Sequence, residues 1–293
     1  MNVETIGMIF IFIQILAAAV QPVLTKLAVG TINPLFAAAV TPLIGFIIPF
    51  VLLTRNGTLK ILFDKKNLKE FLMIGFFGTV MTYLLFFSGA KLTSGINTAI
   101  LIQAEPIYSI LLGYFVLKEK ITSKQILFTL LIIVGVIIVI YNGAFSLSLG
   151  DFLILLTPLF YQISHVIAKK TINRVGTVAV QGGRYLFGGI ILLLISSLLG
   201  MNQFSLLVEP QNFSIIFTLG IIVAGIGTLA FYEAIKRINL SKTTAMIAPY
   251  SVISVMLAWF VLKEVPTIYQ IIGLILMLIG IFSLAKIRSE KRN

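Results

Sequence analysis

The chain has 293 residues, 59% hydrophobic and 11% charged, with a mean hydropathy of +1.08. That balance excludes a water-soluble domain, whose surface must be covered by groups that water tolerates. The absence of cysteine and the single histidine, His165, exclude disulfides, thiol chemistry and a multi-histidine metal site, and the formal net charge of +12 lies between hydrophobic runs, as membrane orientation requires and nucleic-acid binding does not.

Apolar runs near 20 residues recur along the whole chain, and each matches the ~30 Å hydrocarbon core as one helix. A β-barrel would need short alternating strands instead. In chain order the predicted spans are residues 6–27, 34–53, 70–90, 96–117, 123–141, 151–168, 177–199, 213–235, 243–262 and 267–286. The first run contains Ala17 to Ala19, which look like a cleavage site, but its leader "MNVE" carries Glu4 and no basic residue, so it reads as a span. Most loops are short; 54–69 and 200–212 are longer.

The basic residues alternate with the spans. With the N-terminus in the cytoplasm, Arg55, Lys60, Lys65, Lys66 and Lys69 are inside, followed by Lys118, Lys120 and Lys124, then Lys169, Lys170 and Arg174, then Lys236, Arg237 and Lys242, and finally Lys286, Arg288, Lys291 and Arg292. Only Lys26, Lys91 and Lys263 fall outside, with Arg184 within a span. The expectation is a multi-pass protein of the plasma membrane with both termini cytoplasmic.

The sequence also repeats. An offset of 145 residues carries Gly75 to Gly220, Phe86 to Phe231, Lys91 to Lys236, Thr98 to Thr243, Ser109 to Ser254, Thr122 to Thr267, Gln125 to Gln270 and Gly135 to Gly280, and "FVLKE" recurs at 115–119 and 260–264. An offset near 143 carries Lys26 to Lys169 and Thr41 to Arg184. Each half, residues 1–145 and 146–293, holds five spans, an odd number, so the second half enters the membrane upside down. The fold class is therefore an all-α polytopic membrane protein with ten transmembrane helices as two inverted five-helix repeats, an architecture that places a transport site near the midplane between the halves. The repeated "FVLKE" reads as a helix ending anchored at the interface by a snorkelling lysine.

Three motifs carry a family resemblance. Pro106 is followed ten residues later by "VLKE", span nine reads "APYSVISVMLAWFVLKE", and the second half opens "GDFLILLTPLFYQISHVIAKK". In this order and spacing they resemble the EamA-type carriers of the drug/metabolite transporter superfamily, over nearly the whole chain. The resemblance implies a ten-helix carrier of small metabolites, often amino acids or related compounds and commonly moved outward. Many members carry an arginine in span two; here that place is Thr41–Pro42, and the arginine stands in span seven as Arg184.

Several polar residues sit where lipid would reject them. A charged carboxylate near the bilayer centre costs roughly 2.5–3.5 kcal/mol on the lenient insertion scale, so Glu105 must be neutral, paired or facing water. Pro106 removes a backbone hydrogen bond beside it. Glu105 is the candidate for proton coupling; the competing reading is a structural partner to a neighbouring span. Thr157, Tyr161, Ser164 and His165 form a stripe on span six, with His165 either binding substrate or packing helices. Gln14 and Gln21 share a face of span one with Thr25, and Pro22 is expected to kink that helix. Thr79 and Tyr83 on span three, Tyr108 on span four, Tyr232 beside Thr228 on span eight, and Tyr250 and Ser254 around Pro249 on span nine complete the candidate cavity. Helix breaks are expected near Pro22, Pro106, Pro158 and Pro249. Glu233 is expected to pair with Lys236 or Arg237. Arg184 needs a partner, either Glu105 or a carboxylate of the substrate.

These side chains suit a small amphiphilic or zwitterionic metabolite, exported by a secondary carrier through a central cavity by alternating access. No "GxxxxGK[ST]" loop occurs, so the chain has no ATP-binding motif of that kind. The alternatives are a passive facilitator and an exporter of multiple drugs or lipid-like amphiphiles; an enzyme acting on lipids is disfavoured by one histidine and one acid, Asp151, near the membrane face. No cofactor, metal or nucleic-acid partner is expected. The expected partners are the substrate, a coupled proton and the bilayer, and the chain is expected as a monomer or a homodimer.

Overall fold

A computed structural model describes residues 3–115, 121–144 and 147–287. Lys118, Glu119, Lys120, Arg288, Lys291 and Arg292, and with them most of the first "FVLKE", lie outside the described residues. The described chain is helical, with ten helices long and apolar enough to cross a membrane: spans one to ten are Thr5–Thr31, Pro34–Arg55, Lys65–Leu92, Gly95–Leu112, Ser123–Tyr141, Leu149–Val175, Thr177–Leu198, Pro210–Arg237, Lys242–Leu262 and Ile268–Lys286. Spans one, three, six and eight run several residues beyond their expected limits, because amphipathic turns such as Lys65–Lys69 extend the helix past the apolar run.

Local signals start the helices. Asn33 caps span two ahead of Pro34, Asp64 caps span three and Ser94 caps span four, each side chain accepting a backbone N–H of the first turn. The match of Thr122–Gln125 to Thr267–Gln270 has a physical cause: both pairs form reciprocal capping boxes, opening spans five and ten. Ser148 and Asp151 form a third at span six.

Packing repeats the same symmetry. Spans five and ten lie against each other, with Gly135 meeting Gly273 and Gly280 meeting Phe128. The 145-residue offset turns the first contact into the second with the partners exchanged, which is the mark of a twofold relation between halves. A Cβ at Gly135 would lie 2.7 Å from the Gly273 carbonyl oxygen and 2.6 Å from Met277 Cγ. Gly135→Leu is therefore expected to cost about 1–3 kcal/mol of stability by overpacking. A melting temperature in detergent equal to the parent's would contradict this contact.

Spans three and eight each contain a π-helical segment, Phe76–Met81 and Leu219–Gly227, again one offset apart. Such a segment lets carbonyls leave the helical ladder, and each segment is met from a neighbouring span. Arg184 donates to the Gly78 carbonyl, and Gln181 Nε2 donates to the carbonyls of Ala224 and Gly225 at 2.9 and 2.6 Å.

The expected breaks divide. Span four changes to a 3-10 turn over Ile102–Ala104 just before Glu105–Pro106, and span nine breaks between Ile247 and Tyr250 at Pro249. Spans one and six run helically through Pro22 and Pro158; there the lost hydrogen bond is tolerated inside a long, packed helix. Glu233 pairs with Arg237. At the second "FVLKE", Glu264 takes a role beyond anchoring: its two carboxylate oxygens accept the Gly95 and Ile96 backbone N–H groups, each at 2.9 Å, and so cap span four across the repeat boundary.

Candidate functional site

A cavity of about 140 Å³ lies between the repeats. It is below the ~300 Å³ at which drug-sized pockets begin. Its wall is built from matched positions of the two halves. Phe86 and Phe231 face it, as do Ile102 and Ile247, each pair one 145-residue offset apart; Gln14 and Thr157, Ala18 and Tyr161, and Pro22 and His165 are pairs at the 143 offset. The cavity therefore straddles the relation between halves. Its chemistry does not follow that relation: Glu105 on span four faces Tyr250 as its counterpart on span nine, and Arg184 has only Thr41 as its counterpart on span two.

Glu105 begins the helical turn after the 3-10 break in span four. Its Oε2 accepts the Tyr161 hydroxyl at 2.8 Å, and its Oε1 accepts Gln162 Nε2. Both donors are neutral and both come from span six. Arg184, 5% exposed, is held from span three and span eight: Nε donates to Thr79 Oγ1 at 3.3 Å, one terminal nitrogen to Tyr232 at 3.1 Å, and the other to the Gly78 carbonyl. Gly78 is required here, since a Cβ would lie 2.2 Å from Ser164 Oγ and 3.1 Å from Arg184 Nε. A guanidinium has five N–H groups, so two remain beyond these three bonds. Of the two partners expected for Arg184, Glu105 is not one: the ion pairs among the described residues are Glu70 with Arg174 and Glu233 with Arg237. An acid and a base thus line one cavity without touching each other.

Eight of the twelve candidate residues line the cavity: Gln14, Gln21, Tyr83, Glu105, Tyr161, His165, Arg184 and Tyr250. Four do not. Thr79 and Tyr232 are fully buried behind Arg184 and orient it. Thr79 was expected on the cavity wall with Tyr83, but it lies in the π-helical segment, where the changed helical phase turns it to span seven. Ser254 is buried with its hydroxyl donating to the Ala19 carbonyl at 2.7 Å, which ties span nine to span one. Tyr108 is partly buried against the core one turn beyond Glu105 and does not line the cavity.

Gln103, Gln162 and Thr244 were not singled out in the sequence. Gln103 lines the cavity and donates at 2.6 Å to the Ala248 carbonyl, which also accepts the Ser251 N–H and hydroxyl at the break in span nine. Residues 103 and 248 are themselves one offset apart, so they meet where the two halves cross. That self-matching position was the signal available in the sequence. The Oε1 of Gln14 and the Nδ1 of His165 are buried and have no hydrogen-bond partner among the described residues. His165 packs at 4.5 Å from the Phe231 ring and 5.2 Å from Tyr161.

The model of the EamA-like transporter family matches residues 5–141 and again residues 148–285. The chain belongs to the EamA-like transporter family. It is similar to an uncharacterized transporter of Methanothermobacter thermautotrophicus, 27% identical over 95% of this chain and 85% of that one, and to the uncharacterized transporter YyaM of Bacillus subtilis, 25% identical over 92% and 90%. A solved protein crystal structure matches with a TM-score of 0.68 over 96% of each chain at 19% identity, a likeness of fold. The EamA membership and the ten apolar helices make this a multi-pass membrane transporter of small molecules.

Proposed function

We propose that this EamA protein is a secondary carrier that exports an amino acid or a closely related zwitterion across the plasma membrane by alternating access, with both termini in the cytoplasm and Glu105 as the proton-coupling residue. The observation that carries this reading is the cavity with Arg184 and Glu105 on its wall, each held by other groups and not by the other. A zwitterion supplies the carboxylate that Arg184 lacks and the ammonium that Glu105 would accept, and so neutralises two charges that a low-dielectric site cannot hold alone. A lipid-like amphiphile would leave both unmet.

The repeats 1–145 and 146–293 would supply the two matched sets of helices whose rearrangement opens the cavity first to one face and then to the other. The test is efflux from proteoliposomes loaded with a pooled amino-acid and metabolite mixture, with and without a pH gradient. Faster loss of one zwitterionic class under the gradient is expected. Retention of the whole pool under both conditions would overturn the reading.

A further inference from the structure

The bundle end marked by Thr31, Leu92 and Leu262 is built in more detail than the cavity requires. Lys26, on span one, donates from Nζ to the carbonyls of Ala90 at 3.0 Å and Thr93 at 2.5 Å, which end span three. Lys91, on span three, returns a bond from Nζ to the Val29 carbonyl at 2.6 Å, which ends span one. Each lysine satisfies carbonyls that the other helix leaves without an intrahelical donor, and each positive charge sits at the favourable end of a helix dipole. Beside them Glu264 clamps the start of span four, and Thr93 and Asn97 both donate to Asp151 of span six, at 2.5 and 3.0 Å.

The repeat supplies an internal comparison. Lys169 is the counterpart of Lys26 and Lys236 that of Lys91, at the last turns of spans six and eight and at the opposite face. Neither makes a hydrogen bond or close ion pair with a described residue. The packing differs in the same sense: span one lies against the first turns of span four, while the equivalent contact of span six with Leu240–Ile247 of span nine is slight. The cavity wall also reaches toward that second face, through Phe231, Ile247 and Thr244. At one face both lysines reach across to a neighbouring helix end; at the matched face their counterparts do not, and the ties there include Thr177 to Glu233 and Arg174 to Glu70.

We infer that Lys26 and Lys91 form a latch that closes one face of the carrier, and that Lys169 and Lys236 form its counterpart, which closes the other face in the alternate state. In that state Lys169 would cap the end of span eight and Lys236 the end of span six, while the first pair lets go. The two latches are then exclusive: spans one and three meet at one face in the state described, and spans six and eight would meet at the other face only once spans one and three have parted. This rests on the alternating-access part of the proposed function and not on any substrate.

The native chain has no cysteine, so a single reporter, Ala18→Cys on the cavity wall, can be labelled without background. Its reaction rate with a membrane-impermeant, charged methanethiosulfonate is measured from each face in sealed vesicles of both orientations. Adding Lys26→Gln with Lys91→Gln is expected to raise labelling from the latched face by about tenfold and lower it from the other. Lys169→Gln with Lys236→Gln is expected to shift labelling the opposite way. Lys26→Arg with Lys91→Arg, which keeps charge and donors, is expected to stay near the parent. If the first double variant keeps its melting temperature and labels like the parent from both faces, the latch is wrong. If only the second is without effect, the counterpart is wrong. No substrate is added, so a failed efflux assay leaves this test intact.

Discussion

Arg184→Gln is expected to reduce transport at subsaturating substrate by about 30-fold or more, the equivalent of losing the ~2 kcal/mol or more that a buried, hydrogen-bonded charge pair contributes. Three of the five N–H groups of Arg184 are fixed by Thr79, Tyr232 and the Gly78 carbonyl, so the guanidinium is preorganised before anything binds. Glutamine has no charge to offer a carboxylate and cannot span the three acceptors. Arg184→Lys is expected to fare little better, because one ammonium cannot replace a planar fork reaching spans three and eight together. The measurement is initial efflux rate against internal substrate concentration, with melting temperature as the control for folding. A rate within twofold of the parent would remove Arg184 from the binding site.

Glu105→Gln is expected to abolish acceleration by a pH gradient while leaving slow downhill movement. The substitution keeps the size of the side chain and an oxygen that can accept from Tyr161 or Gln162, so the link from span four to span six survives in part. What it removes is a group that can take up and release a proton. The comparison is efflux from wild-type and variant proteoliposomes, each with and without the gradient. Undiminished acceleration in the variant would assign the coupling elsewhere. Equal flux in all four conditions would make the carrier a facilitator and Glu105 a structural partner of span six.

The fold was legible because its causes are local and periodic. Long apolar runs set ten spans, the lopsided Lys and Arg distribution set their alternation, and matched polar pairs such as Thr122–Gln125 and Thr267–Gln270 revealed the repeat through what proved to be capping boxes. The cavity was legible where a polar residue in a regular helix must face inward, as with Gln14, Tyr161 and His165. It was misread where the helix is irregular. The π-helical segment at Phe76–Met81 turns Thr79 toward span seven, and span four changes to a 3-10 turn at Ile102–Ala104. Ideal 3.6-residue spacing has no way to announce either. Gln162 escaped because it adjoins the stripe on span six without belonging to it, yet it donates directly to Glu105. The role of Glu264 escaped for another reason: its partners, Gly95 and Ile96, are distant in sequence and offer only backbone N–H groups.

The central claim is that one cavity holds a zwitterion between Arg184 and Glu105. It is tested most directly by comparing efflux of the transported compound with that of its methyl ester and its N-acetyl derivative, in wild-type proteoliposomes corrected for leak from protein-free vesicles. The ester lacks the carboxylate and the N-acetyl form lacks the ammonium. The account predicts that only the parent compound is carried, with both derivatives at least tenfold slower. Equal carrier-dependent rates for all three would contradict it.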